Sequence, residues 1–206
     1  MNILFVHGMG RTPLSAWPML RRLRRAGHRV STFGYCVTLD SFEPIKRRLH
    51  GRIRTLAAQG EYCLVGHSLG GVLLRAALAD ESDLARLPRR VFLLGVPIQA
   101  SRLANRLKDN WIYRLATRDC GQLLASPTRM EAMPAVPAPT TVITGTRGLR
   151  GKWSPFGTEP NDGLVSADEA MPPWPCQRLE VSVPHTLLPS HGAVAELVLR
   201  EINALS

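Results

Sequence analysis

Gly66-His67-Ser68-Leu69-Gly70-Gly71 decides the fold of this chain, because it joins the apolar run 62–65 to the Ala/Leu-rich run 72–79. It fits the pattern G-x-S-x-G, in which a buried strand turns sharply into a helix and holds the serine at the apex in a strained conformation. Gly66 and Gly70 are expected because a Cβ there would collide with the neighbouring strand or helix. A chance turn with Ser between glycines is the alternative, but the flanking runs favour a strand–turn–helix unit that exposes Ser68.

Length and composition indicate one soluble globular domain over residues 1–206. The chain has 206 residues, of which 45% are hydrophobic and 20% charged, and its longest apolar runs are far below the ~18 residues of a membrane span. Residues 1–6 lead directly into apolar sequence, without the basic region and cleavage site of a signal peptide, which predicts a cytoplasmic protein. Four scattered cysteines are expected to be reduced and structural, with no metal-ligand spacing: Cys36, Cys63, Cys120 and Cys176.

The formal net charge is +10, and its densest cluster is Arg21-Arg22-Leu23-Arg24-Arg25. A basic face of this kind could bind nucleic acid or an anionic membrane. However, the arginines fall on the solvated side of an amphipathic helix, and no aromatic residues alternate with them as a base-stacking surface requires. We therefore expect no nucleic-acid partner and at most peripheral membrane contact.

Strand and helix patterns alternate along the chain, which predicts an α/β fold with a mainly parallel sheet of about six strands and helices on both faces. Residues 101–139 interrupt this alternation with two short helices, 101–108 and 111–116, and a break at Asp119-Cys120-Gly121. We interpret 101–139 as an irregular, lid-like segment over the site. The predicted strands are 2–6, 28–35, 62–65, 90–96, 140–145 and 179–183, and the remaining helices 16–26, about 42–56, about 72–80 and 190–204.

Ser68, Asp162 and His185 are the candidate catalytic groups, because each follows a predicted strand and ligands bind at the carboxyl ends of such strands. A serine hydroxyl needs a neutral imidazole to take its proton during attack, and a carboxylate to fix the imidazole tautomer. His185 lies two residues after the last predicted strand, on a turn into the C-terminal helix, and is the preferred base, with His191 as the alternative. His67 is expected to point sideways from the turn.

Asp162 lies in Asn161-Asp162-Gly163, ahead of the apolar Leu164-Val165. It is preferred over Glu159 and Asp168, although an Asn-Asp-Gly surface turn without chemical function is also possible from the sequence. The N–H groups of Leu69 and Met9 are the expected oxyanion donors, the second from the loop His7-Gly8-Met9-Gly10. A dinucleotide site is excluded there, because Pro13 stands where G-x-G-x-x-G requires its third glycine.

Five motifs together resemble those of small bacterial α/β-hydrolases of the lipase/esterase group, especially the minimal, nearly lidless lipases. The resemblance implies the Ser68–His185–Asp162 triad, the Met9 and Leu69 oxyanion donors, and supporting roles for His7, Gly8, Gly66, His67 and Gly70. No acidic cluster suggests the calcium site of some larger relatives. The motifs are Val6-His7-Gly8-Met9-Gly10, Gly66-His67-Ser68-Leu69-Gly70-Gly71, Leu94-Gly95-Val96-Pro97, Asn161-Asp162-Gly163-Leu164-Val165 and Pro184-His185-Thr186.

The expected activity is hydrolysis of carboxylic esters with apolar acyl groups, through an acyl-enzyme and without metal or cofactor. The substrate would be a small-molecule or lipid ester. The same triad could serve a thioesterase, amidase or acyltransferase, and an inactive binding module with a basic surface is a further alternative, although every motif is intact. The expected pocket residues are Met9, Leu69, Leu103, Leu107, Trp111 and Leu115.

Overall fold

A computed structural model describes residues 1–152 and 154–205; Trp153 and Ser206 lie outside the described residues. Within them, six strands form one sheet in the order β2-β1-β3-β4-β5-β6, and every neighbouring pair is parallel. The prediction of an α/β fold with about six strands is confirmed. The strands are β1 (Asn2–Val6), β2 (Arg29–Phe33), β3 (Tyr62–His67), β4 (Arg90–Leu94), β5 (Thr140–Gly145) and β6 (Gln177–Val181).

Helices cover both faces of the sheet, as the alternating pattern predicts. Successive side chains of β1 point to opposite faces, so that Ile3 and Phe5 join one apolar core and Leu4 and Val6 the other. The helices are α1 (Trp17–Arg25), α2 (Phe42–Gln59), α3 (Leu69–Ala77), α4 (Arg102–Leu107), α5 (Trp111–Ala125), α6 (Pro127–Glu131) and α7 (Gly192–Asn203). The first core is closed by α1 and α7, and the second by α2 and α3. No helix in the described residues is long and apolar enough to cross a bilayer.

The last strand lies two residues earlier than the sequence predicts, at Gln177–Val181 instead of 179–183. The apolar alternation continues through Val183, but the N–H of Val183 bonds back to the carbonyl of Val181, so the chain has already left the sheet. Pro184 then leads into a short 3-10 turn, His185–Leu187. The shift moves His185 away from the strand end and into this turn.

The 101–139 segment is more regular than predicted. Side chains of Ser101, Asn110 and Ser126 accept hydrogen bonds from backbone N–H groups at the starts of α4, α5 and α6. The predicted break occurs, but one residue earlier than 119–121: Arg118 is non-helical, with φ of 45° and ψ of −134°, so α5 consists of two helical pieces on either side of it. Gly121 permits close packing inside the helix, since a Cβ there would stand 1.9 Å from Thr117 Oγ1.

The turn between β3 and α3 depends on glycine at two positions. A Cβ on Gly66 would stand 2.6 Å from Gly71 Cα, and one on Gly70 would stand 2.3 Å from the carbonyl oxygen of Val6. Both obstacles are backbone atoms, which cannot rotate away as a side chain could. The first turn of α3 therefore packs directly on the end of β1, as the motif predicts.

Gly70→Ala should destabilise the protein by about 1–3 kcal/mol or more, because the added methyl group forces backbone apart. Gly51→Ala is the matched control: Gly51 is in α2, its added Cβ would meet no atom within 4 Å, and alanine in a helix interior should stabilise by about 0.5–1 kcal/mol. Urea unfolding measures both. Equal stability of Gly70→Ala and wild type would contradict the close approach.

Candidate active site

Ser68 occupies the turn between β3 and α3 in a conformation that non-glycine residues rarely adopt, with φ of 52° and ψ of −126°. The loop that follows β1 lies against this turn. A Cβ on Gly8 would stand 3.1 Å from Ser68 Cβ and 3.0 Å from His67 Nδ1. The structure thus brings the predicted oxyanion loop and the predicted nucleophile into contact.

His185 and Asp162 form a buried pair beside this turn. His185 Nδ1 lies 2.7 Å from Asp162 Oδ2, and the backbone N–H of His185 donates to the Asp162 carbonyl oxygen at 2.9 Å. The other carboxylate oxygen, Oδ1, accepts the N–H groups of Leu164 and Val165 at 3.0 and 2.8 Å. An ionised carboxylate can only accept, so a hydrogen bond between these two atoms requires the proton on His185 Nδ1, and in the neutral ring Nε2 is then the acceptor.

Two glycines, which have no side chain, leave room for the His185–Asp162 pair. A Cβ on Gly95, just after β4, would stand 2.9 Å from Asp162 Oδ2 and 3.0 Å from His185 Nδ1. One on Gly145, the last residue of β5, would stand 2.7 Å from Asp162 Cβ. The pair therefore lies against the carboxyl ends of β4 and β5, the edge at which the sequence places it.

His67 connects the turn that carries Ser68 to His185, the predicted base. Its Nε2 lies 3.0 Å from the carbonyl oxygen of His185, so it donates, and the two rings are tilted with centroids 4.8 Å apart. Its Nδ1 is buried without a hydrogen-bond partner in the described residues. Burial, followed by the neighbouring His185, lowers the pKa of His67 well below the usual value. His67 is thus neutral and points sideways, as predicted.

His7 holds the oxyanion loop through Tyr35. Its Nδ1 lies 2.8 Å from the Gly8 carbonyl oxygen, its Nε2 accepts the N–H of Tyr35, and the two rings stack at 4.3 Å. Tyr35 Oη in turn donates to the His7 carbonyl oxygen at 2.7 Å. Sequence reasoning assigned Tyr35 only to a strand, because nothing in its local pattern indicates a contact with a residue twenty-eight positions away.

The alternative base and acids are engaged elsewhere. His191 is exposed and caps α7 by accepting the N–H of Ala193. Glu159 pairs with Arg102, and Asp168 is an exposed residue beside a different cavity. None of the three makes a hydrogen bond to His185 within residues 1–152 and 154–205.

Arg102 is the first residue of α4, a helix that lines a cavity at Ser68. Its hydrogen bonds connect this helix to the loop that carries Asp162. Its backbone N–H and its Nε donate to Glu169 Oε1 at 2.7 and 3.1 Å, and its Nη2 donates to Ser166 Oγ at 2.7 Å. Glu169 is buried and also accepts the N–H of Ser166 at 2.9 Å. This network was missed from the sequence, where Glu169 has no distinguishing neighbour.

Of the two residues predicted to supply oxyanion donors, Leu69 follows Ser68 directly in the chain and Met9 shares a cavity with it. Leu69 is the first residue of α3, so its N–H has no acceptor within the helix. Met9 is half-buried and lines a cavity together with Ser68. The positive end of the α3 dipole adds to the local potential for an anion at this position.

The cavity at Ser68 has a volume of about 230 Å³ and a largely apolar lining. Leu103 and Leu107 line it as predicted, but Leu69 is fully buried in the core. The prediction for Trp111 and Leu115 is wrong: both are exposed, and Tyr113 faces the cavity instead. The other lining residues are Met9, Pro97, Ser101, Ala104, Leu124, Leu164 and Val165.

A larger cavity, of about 630 Å³, surrounds Arg75 and Trp174. Arg75 is buried there and donates to the carbonyl oxygens of Ile98 and Met133 at 3.0 and 3.2 Å. These contacts give it a structural role, and the lining contains no nucleophile with a base. In the part of the chain that the structure describes, no three His, Cys, Asp or Glu side chains converge as metal ligands.

The sequence model of the alpha/beta hydrolase family matches residues 3–198, so the chain belongs to this family. This membership confirms the predicted fold class and supports a hydrolytic activity. A search of curated proteins found no significant match.

Solved structures show the same fold at low sequence identity. The mature form of the lipase BlEst2 from Bacillus licheniformis has a TM-score of 0.77 and 19% identity, over 98% of this chain and 91% of the lipase. A metagenomic carboxyl esterase has a TM-score of 0.73 and 18% identity, over 100% and 74%. The RedJ thioesterase of Streptomyces coelicolor has a TM-score of 0.64 and 16% identity, over 100% and 85%. The predicted likeness to lipases and esterases is confirmed.

His67→Gln should make the free energy of unfolding depend less steeply on pH below about pH 6.5. The folded-state pKa of His67 is lowered, so just below pH ~6.5 only the unfolded chain binds a proton at this residue. In the wild type, the free energy of unfolding therefore falls by about 1.4 kcal/mol for each pH unit by which the pH is lowered there. Gln can still donate a hydrogen bond but does not titrate. Urea unfolding between about pH 7.5 and 5 tests this, and parallel curves for variant and wild type would refute it.

Proposed function

We propose that the chain is a serine hydrolase that cleaves carboxylic esters with apolar acyl groups, using Ser68, His185 and Asp162. The observation that carries the proposal is the buried His185–Asp162 hydrogen bond beside the strained Ser68 turn. A carboxylate that accepts three hydrogen bonds and fixes an imidazole tautomer is the arrangement that general-base catalysis by histidine requires.

In the acylation step, Ser68 Oγ attacks the ester carbonyl carbon and its proton passes to His185 Nε2. The C–O bond of the tetrahedral intermediate then breaks, and the imidazolium gives its proton to the departing alkoxide, which leaves as the alcohol. In deacylation a water molecule gives a proton to His185 and attacks the acyl-enzyme. The free acid leaves, and the proton returns to Ser68. Asp162 stays ionised and stabilises the imidazolium in both steps.

The N–H groups of Met9 and Leu69 would bind the oxyanion. The Met9 donor depends on the loop that His7 and Tyr35 hold in place, and the Leu69 donor on the first turn of α3. Donors fixed in this way require no reorganisation when charge develops, and losing one typically costs about 10²–10³ in rate.

The lining of the cavity supports an apolar acyl group. Leu103, Leu107 and Leu124 supply apolar surface, and among the described residues no charged side chain lines the cavity. At about 230 Å³ the cavity is smaller than the ~300–1,000 Å³ of typical ligand sites. Short acyl chains should therefore be preferred, and a panel of esters, thioesters and amides would identify the leaving group.

A fluorophosphonate should label the wild-type chain once and leave Ser68→Ala unlabelled, because only an activated serine attacks phosphorus at neutral pH. Intact-mass measurement gives the stoichiometry, and circular dichroism checks that the variant is folded. Absence of an adduct on folded wild-type protein would overturn the proposal. An adduct on Ser68→Ala would place the nucleophile elsewhere.

His185→Ala should lower kcat by about 10⁴–10⁶-fold, since the serine loses its base. The matched control is His191→Asn, which removes the alternative histidine but retains a residue type that caps helices. It should keep wild-type kcat on a short-chain p-nitrophenyl ester. If His191→Asn were the inactive variant and His185→Ala the active one, the base would be wrongly assigned.

A further inference from the structure

The first two turns of α5 present apolar side chains to solvent. Tyr113 and Thr117 face inward with the cavity and core. On the opposite side, Trp111, Ile112 and Leu115 are 71%, 57% and 61% exposed. A surface helix normally directs polar residues outward, so this outward face has the character of a contact surface. It is the face that the sequence had assigned to the pocket.

We define the α5 face as Trp111, Ile112 and Leu115. Tyr113 of the same helix lines the cavity at Ser68, and so does Leu107, an exposed leucine at the end of the preceding helix α4. The α5 face therefore lies on a helix that also forms part of the wall of the proposed active site. At the end of these two turns, Thr38 Oγ1 donates to the Ala116 carbonyl oxygen at 2.8 Å, and Leu39, the next residue in the chain, is also exposed.

Basic residues surround the α5 face. Arg106, Lys108, Arg114 and Arg118 are exposed, and Asp109 is the only acidic residue from 106 to 118. None of these four cations forms an ion pair among the described residues, whereas many other arginines of the chain do. The centre of this surface is therefore apolar, and among the described residues the cations around it have no acidic partner that balances their charge.

We propose that the α5 face docks the protein on a membrane surface that contains anionic phospholipid. A helix with Trp, Ile and Leu on one side and Lys or Arg beside them binds in the interfacial plane, where the apolar side chains enter the acyl boundary and the cations meet the headgroups. Each such cation near an anionic leaflet strengthens binding about fivefold. A second copy of this chain is a poorer occupant, because two molecules of charge +10 repel each other.

The binding experiment uses the full chain as Ser68→Ala, so that it does not depend on turnover or on the proposed function. Co-sedimentation with phosphatidylcholine vesicles is compared with vesicles of phosphatidylcholine and phosphatidylglycerol. Binding is expected on the mixed vesicles and should weaken strongly from about 0.1 M to about 1 M salt, as the Debye length falls from ~10 to ~3 Å. No binding to mixed vesicles, or equal binding to both compositions, would overturn the proposal.

Two sets of variants locate the contact. Trp111→Ser/Leu115→Ser should lower vesicle affinity at least about tenfold through lost apolar burial, and Lys108→Gln/Arg114→Gln about 25-fold through lost charge. Leu87→Ser is the control: Leu87 is also exposed, but it precedes β4 and so lies at the opposite edge of the sheet. It should bind as the parent does. Urea unfolding checks that all variants fold.

Two results would contradict the assignment of the α5 face. If Leu87→Ser lost affinity as much as Trp111→Ser/Leu115→Ser, binding would be a general property of exposed leucines. If light scattering showed a dimer that Trp111→Ser/Leu115→Ser abolishes, while vesicle binding stayed unchanged, the α5 face would contact a second copy. Vesicle binding by Ser68→Ala with no fluorophosphonate adduct on wild type would keep this proposal and reject the proposed function.

Discussion

The close approach of α3 to the ends of β1 and β3 is the constraint on which the site depends. Gly66 and Gly70 allow backbone to meet backbone at distances that a Cβ would forbid. This contact fixes the strained φ of Ser68, directs the first N–H groups of α3 toward the serine, and brings the loop after β1 against it. The backbone strain at one residue is offset by the burial of α3 on the sheet, where Val72 and Leu73 are fully enclosed.

Charge at the site is balanced in a small buried volume. Asp162 is compensated by hydrogen bonds from two backbone N–H groups and from His185, so its carboxylate is held without a basic side chain beside it. Burial lowers the pKa of His67 and keeps it neutral, and a neutral ring is the neighbour that the imidazolium of the proposed mechanism tolerates. Arg102 and Glu169 form an ion pair that holds the loop carrying Asp162. This structural ion pair is separate from the proposed reactive pair, His185 and Asp162.

Sequence reasoning was most informative where a local backbone requirement selects the residue. The glycines at 66 and 70, the strand β5 and the helix α3 follow from short-range rules, and the structure places Ser68, His185 and Asp162 at one edge of the sheet. The contacts of Tyr35 with His7, and of Arg102 with Glu169, join residues far apart in the chain, and no local pattern encodes them. The break in α5 lies at Arg118 instead of at Asp119-Cys120-Gly121, where Gly121 serves close packing against Thr117.

The error at α5 has a different origin and bears on what the surface does. Apolar residues occur on both sides of its first two turns, so a period of 3.6 residues does not tell which side is buried. The core and cavity accept only the side with Tyr113 and Thr117, because the kink at Arg118 and the close Thr117–Gly121 contact fix the rotation of the helix. Trp111, Ile112 and Leu115 are then left exposed at a cost in solvation free energy that no contact in the described residues offsets. Folding does not require this apolar side, which lies on a helix that also lines the cavity. It is flanked by cations that form no ion pair in the described residues. A partner that supplies both acyl chains and negative charge explains it best.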